Sequence, residues 1–274
     1  KGLSFHGIFS TNRYSYFDLT RSYKPFYYQI QNFDPHTNDY TLDWINNQPG
    51  QAQEFLSYYP GSKSVTTYLY MQGTIDYNRT FGQNNVSATL IGTREQTESG
   101  DESTLQASLP ARNLGVSGRA SYSYDNRYFI EFNFGYNGSE KFAPQHRWGF
   151  FPTIGGAWVI SNEKFWTGGI ADVLTKLKIR GSYGLVGNDN IGSSRFFYLS
   201  NVSPDAGPGA SFGSTNGYSL NGTTINAYPN PDITWERSKK SNLAIEATIL
   251  KNLSITAEIY HEYRYDILNP RGYI

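Results

Sequence analysis

The stretch Ala120–Trp158, ASYSYDNRYFIEFNFGYNGSEKFAPQHRWGFFPTIGGAW, decides the fold because it holds two consecutive strand patterns beside a short turn. Within Tyr128–Tyr136 every second residue is aromatic or aliphatic, and the residues between them are mostly polar or small. Side chains alternate between the two faces of a β-strand, so one face is predicted to be apolar and the other polar. Residues 114–124 alternate in the same way, and Asp125–Arg127 predict the turn.

Two classes of β-protein produce this alternation. In a soluble β-sandwich the apolar face packs into a core, whereas in an outer-membrane barrel it contacts lipid and the polar face lines a wet lumen. The alternation by itself does not distinguish the two classes. Composition, strand length and the pattern of connections have to decide.

The amino-acid composition limits which classes of function this chain can have. The 274 residues contain 23 Lys plus Arg and 23 Asp plus Glu, and this zero net charge without a basic stripe argues against nucleic acid as a partner. The chain has no cysteine for a disulfide or a thiolate metal site. Its mean hydropathy is −0.54, and no apolar run is long enough for a transmembrane helix. Aromatic residues make up 16% of the chain, as is typical of barrels with aromatic girdles at both membrane interfaces.

The predicted connections between strands alternate in length along the chain. Short ones are expected at 82–83, 125–127 and 251–252, long ones at 15–63, 97–110, 138–146 and 188–234, and 161–175 is a short helix or a folded turn. Outer-membrane barrels have short periplasmic turns and long extracellular loops, whereas a sandwich gives no reason for this regularity. Strands of about ten residues, tilted by about 40°, also span the apolar band of that membrane. We therefore predict an all-β fold, an antiparallel transmembrane β-barrel that is partial, with about nine spanning strands.

Six stretches carry a family resemblance. They are Asn78–Gly82 (NRTFG) with Asn85–Ser87 (NVS), Tyr122–Gly138 (YSYDNRYFIEFNFGYNG), Phe142–Trp158 (FAPQHRWGFFPTIGGAW), Leu177–Ile191 (LKIRGSYGLVGNDNI), Asn230–Glu236 (NPDITWE) and Asn252–Ile267 (NLSITAEIYHEYRYDI). In this order and spacing they resemble the SusC/RagA family of TonB-dependent outer-membrane transporters, over nearly the whole chain outside the long loops.

The resemblance implies a large plugged barrel of about 22 strands, of which residues 1–274 would supply less than half the wall. The family's plug domain and TonB box have no counterpart in this sequence. The only methionine is Met71 and the chain opens at Lys1, so we expect a piece of a longer polypeptide.

The resemblance also implies a function, which is import of nutrient ligands such as glycans or peptides across the outer membrane of a Gram-negative bacterium. The implied partners are a SusD-like surface lipoprotein at the extracellular rim, outer-membrane lipid, and the TonB complex, reached through the missing amino-terminal part. Neither enzymatic activity nor a cofactor is implied.

Six aromatic residues in the predicted long loops are candidates for contact with the ligand or a partner. They are Trp44, Tyr58, Tyr59, Phe212, Tyr218 and Tyr228. Aromatic faces can stack on sugar rings, although packing within the loops and anchoring at the membrane interface are the alternative roles.

The sequence gives no comparable support for catalysis. Gly209–Gly213 matches G-x-S-x-G, but its flanks have loop composition instead of the strand and helix that a nucleophile elbow needs. The four histidines show no H-x-x-x-H spacing, so no catalytic residue and no metal ligand is predicted. The alternative to the transporter is a secreted soluble β-sandwich that binds carbohydrate. A β-rich glycan hydrolase has less support because no carboxylate pair stands out.

The alternation also assigns individual side chains to faces. Toward lipid we expect Leu69, Ile130, Phe132, Ile245 and Ile255, and toward the lumen Asp76, Arg119, Glu131, Glu246 and Glu258. We further expect an open, curved sheet with two unpaired edge strands.

Overall fold

The computed structural model describes residues 2–102, 104–192 and 195–269, and its main element is one antiparallel sheet of nine strands. The strands of the chain are β1 (Leu3–Ser22), β2 (Tyr28–Asp34), β3 (Asp39–Trp44), β4 (Ser57–Phe81), β5 (Asn84–Ser99), β6 (Ala111–Tyr124), β7 (Tyr128–Ser139), β8 (Trp148–Val159), β9 (Leu174–Asn188), β10 (Asn201–Phe212), β11 (Tyr218–Ala227), β12 (Glu236–Ile249) and β13 (Leu253–Tyr265). The order in the large sheet is β1-β4-β5-β6-β7-β8-β9-β12-β13, whereas β2 with β3 and β10 with β11 form separate hairpins. The sheet is therefore open, with β1 and β13 at its edges, as predicted.

Helical structure is confined to connections. It consists of α1 (Leu105–Ser108), a 3₁₀ turn at Ile160–Asn162 and α2 (Gly169–Val173). The sequence did not distinguish a short helix from a folded turn for segment 161–175. The structure has both, since the 3₁₀ turn extends into the start of this segment and α2 lies near its end. Among the described residues, no helix is long and apolar enough to cross a bilayer.

The short connections lie side by side along one edge of the sheet. In the turn between β6 and β7, Asp125 and Asn126 have φ values of 50° and 52°, the left-handed pair of a tight hairpin turn. The Asp125 N–H donates to the Gln83 carbonyl over 2.8 Å, which joins this turn to its neighbour, and the Val159 N–H donates to the Arg127 carbonyl over the same distance. This confirms that the short connections share one rim, the short-turn rim, and that the long connections share the other, the long-loop rim.

One predicted loop, 15–63, is wrong over much of its length. β1 continues to Ser22 and β4 begins at Ser57, so the two strands pair far beyond the end of β5. The sequence Pro60-Gly61 resembles a turn, but it lies at a register shift where β4 holds one residue more than β1. Proline is tolerated in strands at such bulges. The segment between the strands makes no net crossing, because β2 and β3 form only a local hairpin.

Three other predicted loop boundaries need smaller corrections. β5 runs to Ser99 and β7 to Ser139, so the loops 97–110 and 138–146 begin later than predicted. The long segment 188–234 is not structureless, because it contains the β10–β11 hairpin. That hairpin has three register shifts and prolines within it, which hides a period of two from the sequence.

The two predicted sets of side chains lie on opposite faces of the sheet, and the apolar face is uncovered. Ile130 is 51% exposed and Phe132 is 42% exposed, and in the described chain no second large sheet packs over them. A β-sandwich would bury these side chains between two sheets. The alternative, a soluble β-sandwich, therefore does not fit the fold.

The main buried aromatic cluster lies near the long-loop rim. It consists of Phe142, Phe151 and Trp235, with ring centroids 5.4 Å apart for Phe142 and Trp235 and 5.2 Å apart for Phe151 and Trp235. The Trp235 indole N–H donates to the Arg147 carbonyl over 3.2 Å. The cluster also requires a glycine at position 187, because a Cβ there would overlap the Phe151 ring. The cluster thus ties three of the six matched stretches together and fixes both ends of the segment 189–235.

Replacing Trp235 with Phe tests this role. The change keeps an aromatic ring but removes the indole hydrogen bond to the Arg147 carbonyl, which then accepts only from the Ser139 N–H, at a cost of about 1 kcal/mol. We expect proteinase K to cut segment 189–235 of the full-length receptor about five-fold faster. Trp148→Phe is the control because Trp148 is 40% exposed on the apolar face. Equal cleavage of both variants would contradict an anchoring role for the cluster.

Candidate functional site

Stacked aromatic pairs mark two levels on the apolar face. Near the short-turn rim Tyr128 stacks on Trp158 with ring centroids 6.4 Å apart, and toward the long-loop rim Tyr136 stacks on Trp148 at 4.8 Å. Eight residues separate Tyr128 and Tyr136 along β7, which is about 27 Å along the strand and about 21 Å along the membrane normal at a tilt of about 40°. This spacing fits an apolar band of about 25 Å between two aromatic girdles.

The surface between these pairs carries no charge on β7 and β8. Its side chains are Ile130, Phe132, Phe134, Phe150, Pro152 and Ile154, together with Gly156. Phe134 lies 6.0 Å from Phe150 and 6.1 Å from Phe132 between ring centroids. An exposed apolar surface of this height, bordered by Tyr and Trp, has the properties of a lipid-facing barrel wall.

The opposite face carries paired charges. Arg180 Nε donates to Glu246 Oε1 over 3.0 Å, and its Nη2 donates to Glu258 Oε2 over 2.9 Å. Lys176 and Lys178 lie 3.4 and 3.8 Å from the same Glu246 carboxylate. These cross-strand ion pairs join β9, β12 and β13 on the predicted lumen side.

A second polar group lies farther along this face. Arg119 pairs with Glu131, which also accepts a hydrogen bond from the Asn133 amide over 2.8 Å. Asp76 accepts from the Thr89 hydroxyl over 2.7 Å. All five charged residues predicted to face the lumen are therefore on the polar face.

Between the two charged groups lies a cavity of about 640 Å³ whose floor is made of small residues. Ser121, Gly155, Ala157 and Ser182 line it, with Arg119 and Arg180 at its sides. Its side chains include no nucleophile held against a base, and in the described ranges no cluster of three or more His, Asp or Glu could hold a metal ion. The chemistry of this wall is that of a wet, charged surface against which a polar molecule can move or a plug can pack.

Tyr58 and Tyr59 are not in a loop. They lie on the extension of β4, where they pair with Arg21 and Thr20 of β1, and they are 59% and 54% exposed. Being consecutive in a strand, they face opposite sides of this two-stranded ribbon. Sequence reasoning missed the ribbon itself because the Pro60 bulge resembles a turn.

Trp44 is partly enclosed by its own loop. It ends β3, stacks at a tilt against Phe26 with centroids 5.3 Å apart, and donates its indole N–H to Asn46 Oδ1 over 2.9 Å. Its exposed fraction is 36%, so loop packing accounts for most of its surface.

The remaining three candidates lie in or beside the β10–β11 hairpin. Phe212 and Tyr218 face each other directly across it, with centroids 6.3 Å apart and about half of each side chain exposed. Tyr228 follows β11 and is 75% exposed. Among the six candidates, Phe212 and Tyr218 are the one pair whose rings contact each other in the described chain. The candidates therefore form separate aromatic groups along the long-loop rim and do not line a single shared pocket.

The short-turn rim holds a compact ionic contact that the sequence did not predict. Arg127 donates to Glu163 Oε2 over 2.8 Å and lies 2.9 Å from Asp125, and the Trp158 indole donates to Glu163 Oε1 over 3.0 Å. Hydrogen bonds from the Tyr128 hydroxyl and the Trp158 indole, aided by Arg127, hold the pKa of Glu163 below its usual range. The contact locks the β6–β7 turn to the segment after β8.

The lowered pKa of Glu163 predicts a pH dependence. A carboxyl whose pKa is lower in the folded state stabilises the fold above its unfolded pKa of about 4.3, and this contribution disappears as the pH falls through the folded value. We expect the urea midpoint of the full-length barrel to fall below about pH 4.3 more steeply in the wild type than in Glu163→Gln. Glu98→Gln, on the opposite rim, is the control. Parallel curves for wild type and Glu163→Gln would contradict the assignment.

Comparison with known proteins gives relatives in sequence and in fold. No protein-family model matches the chain. The curated TonB-dependent receptor SusC of Bacteroides thetaiotaomicron is 31% identical over 166 residues, which cover 52% of this chain and 16% of SusC. TonB-dependent receptor P39 of Formosa agariphila is 29% identical over 236 residues, or 76% of this chain and 22% of the receptor. The chain thus spans about a fifth of the length of such relatives.

Solved structures share the fold. The RagAB peptide importer in its closed-closed state matches 97% of this chain and 28% of its own, with a TM-score of 0.64 and 17% identity. The RagAB peptide transporter matches 100% of this chain and 30% of its own, with a TM-score of 0.62 and 18% identity. The shared fold therefore extends over nearly the whole of this chain.

Proposed function

We propose, from the premise that this chain belongs to the SusC/RagA family of TonB-dependent outer-membrane transporters, that its sheet forms part of the wall of a barrel that imports nutrients. The observation that carries the proposal is the pair of aromatic levels, Tyr128 with Trp158 and Tyr136 with Trp148, on either side of an uncharged face. The charged opposite face then lines the lumen. The chain's relatives are receptors and importers, not enzymes.

The wall has to be completed by strands beyond these nine. β1 and β13 are edge strands, and in lipid the backbone groups of an edge have to be paired. Residues 1–274 are thus part of the β-barrel domain, and the plug domain and TonB box belong to a part of the polypeptide outside this sequence. Coupling to the TonB complex acts through that part.

The long-loop rim is the extracellular surface and the docking site of a SusD-like lipoprotein. Its support is the concentration of exposed aromatic side chains there, on the β1–β4 ribbon and the β10–β11 hairpin. The ligands are glycans or peptides, since aromatic faces stack on sugar rings and RagAB is a peptide importer.

Uptake by cells tests the proposal. In the source bacterium, deleting the full-length gene should abolish uptake of one class in a panel of fluorescent glycans and peptides, and a plasmid copy should restore it. The copy should fail in a strain lacking TonB. Undiminished uptake of every panel member in the deletion strain would contradict a transport function, and restoration without TonB would contradict the energy source.

A further inference from the structure

The outward face, which is apolar over most of its height, carries two arginines on β5 and β6 near the long-loop rim. Arg94 pairs with Leu114, and Arg112 pairs with Gln96, so both guanidinium groups are on the face of Leu90 and Val116. Arg94 is eight residues from Val86, the first apolar outward residue of β5, which is about 21 Å along the membrane normal. Both arginines therefore lie at the level of the upper aromatic girdle, where headgroups replace hydrocarbon.

An apolar groove lies directly beside Arg94 on this outward face. Its volume is about 470 Å³, and its outward walls are Phe9, Met71, Leu114 and Val116. The floor is formed by Gly73 and Gly92, which pair across β4 and β5. A Cβ added at Gly92 would meet no atom within 4 Å, so the groove is open to a flexible chain from the membrane.

The two arginines have weak partners within the described chain. Arg94 Nη2 is 3.4 Å from Gln96 Oε1, and no carboxylate among the described residues lies within 4.0 Å of it. Arg112 lies 4.0 Å from Glu140, and its side chain is 51% exposed. Glu98 is on the same face two residues beyond Gln96 toward the rim, and its carboxylate accepts from the Gln96 amide over 2.6 Å.

Guanidinium groups left with free donors at a membrane interface suit the oxygens of a phosphate, and the groove beside them suits an acyl chain. The other rim differs, because its outward Arg79 lies 4.6 Å from the centroid of the Phe81 ring. The charge and the groove together select a lipid that carries both a phosphate and an acyl chain.

We propose that Arg94 and Arg112 bind a phosphate of a lipid A-type glycolipid in the outer leaflet, with one of its acyl chains in the groove over Gly73 and Gly92. This inference rests on the proposed function, because it needs the long-loop rim to face outward from the cell. It assigns the outer wall between β4 and β6 a specific lipid contact in addition to general contact with the bilayer.

Lipid titration of the full-length receptor tests the site. The purified, delipidated receptor in detergent is titrated with diphosphoryl lipid A and followed by native mass spectrometry. We expect the double variant Arg94→Gln, Arg112→Gln to bind at least about ten-fold more weakly, since two charge-assisted contacts are lost. Arg79→Gln, the outward arginine of the other rim, should bind like the wild type. Equal binding by wild type and double variant would overturn the site.

Two further arms address the groove and the headgroup. Gly92→Leu, which fills the open floor of the groove and keeps both arginines, should weaken lipid A binding as well. Dephosphorylated lipid A should bind the wild type no better than it binds the double variant. Displacement of lipid A by an equal amount of phosphatidylglycerol would overturn the choice of lipid, since any phospholipid would then suffice.

Failure of the lipid A site can be distinguished from failure of the proposed transport function. Binding in detergent does not require transport, so a receptor that imports normally but does not bind lipid A refutes only this inference. A receptor whose long-loop rim proves to be periplasmic refutes the outer-leaflet assignment together with the sidedness of the proposed function.

Discussion

Phe132→Arg is expected to prevent or strongly weaken assembly of the barrel. Phe132 is midway between Tyr128 and Tyr136 on β7, so it lies near the centre of the apolar band. An arginine at the bilayer midplane of a barrel costs about 2–4 kcal/mol on the lipid face, and the lost aromatic contact with Phe134 adds to this. A soluble protein with an exposed apolar face would tolerate, or even gain from, the same charge.

Asn133→Arg is the matched control. Asn133 is the next residue on the same strand, its side chain is on the polar face, and its amide already donates to Glu131. We expect this variant to change stability by less than about 1 kcal/mol because the new charge lies on the polar face, where repulsion from Arg119 opposite it is offset by attraction to Glu131. The measurement is the urea midpoint of the full-length receptor folded into lipid vesicles, with heat-modifiable gel migration to report assembly. Equal effects of the two variants would contradict the assignment of faces.

The strands and the faces of their side chains could be predicted because the alternation of apolar and polar residues is a local feature of the sequence. From β4 to β7 the pairing has no register shift, so each alternating pattern in the sequence maps onto one face without interruption. Ile130 and Glu131 are assigned to opposite faces by their positions in β7 alone. The three short turns were equally predictable, and Gly82, Asp125-Asn126 and Lys251 do take positive φ values suited to tight turns.

The long-loop rim could not be predicted as well because its structure depends on distant contacts. The β1–β4 ribbon is hidden by the Pro60 bulge, whose pairing with Leu19 is visible only in the structure. The cluster of Phe142, Phe151 and Trp235 joins segments that are far apart in the chain. Aromatic residues could be proposed as candidates from loop composition, but apart from Phe212 and Tyr218 their arrangement could not.

One part of the candidate site did carry an unused sequence signal. Phe212 and Tyr218 flank the stretch Gly213–Gly217, whose ends and Asn216 suit a turn, and Gly213 and Asn216 do have positive φ values of 89° and 51°. Aromatic residues on either side of such a turn are expected to face each other across a hairpin. The pair could therefore have been predicted together with its hairpin.

A cysteine at Gly217 is expected to react with a membrane-impermeant maleimide on intact cells, whereas a cysteine at Asn252 is not. The argument rests on the antiparallel order of the sheet, since each of its nine strands crosses once and successive connections between them therefore lie on alternate rims. Gly217 lies in the turn of the β10–β11 hairpin on the long-loop rim, and Asn252 lies in the turn between β12 and β13 on the opposite rim. Both positions are exposed, so each cysteine is accessible from its own side.

The labelling contrast should be nearly all-or-none, because a folded outer-membrane barrel has no path for the reagent to the other rim. These 274 residues contain no native cysteine, so they contribute no background. Permeabilised cells are the control, in which both cysteines should react equally. In parallel, protease added to intact cells should cut within 189–235, at least when no lipoprotein covers the rim, and should not cut at Lys251. Labelling at Asn252 with silence at Gly217 would reverse the sidedness, and the docking of a surface lipoprotein on the long-loop rim would be wrong with it, because that rim would face the periplasm.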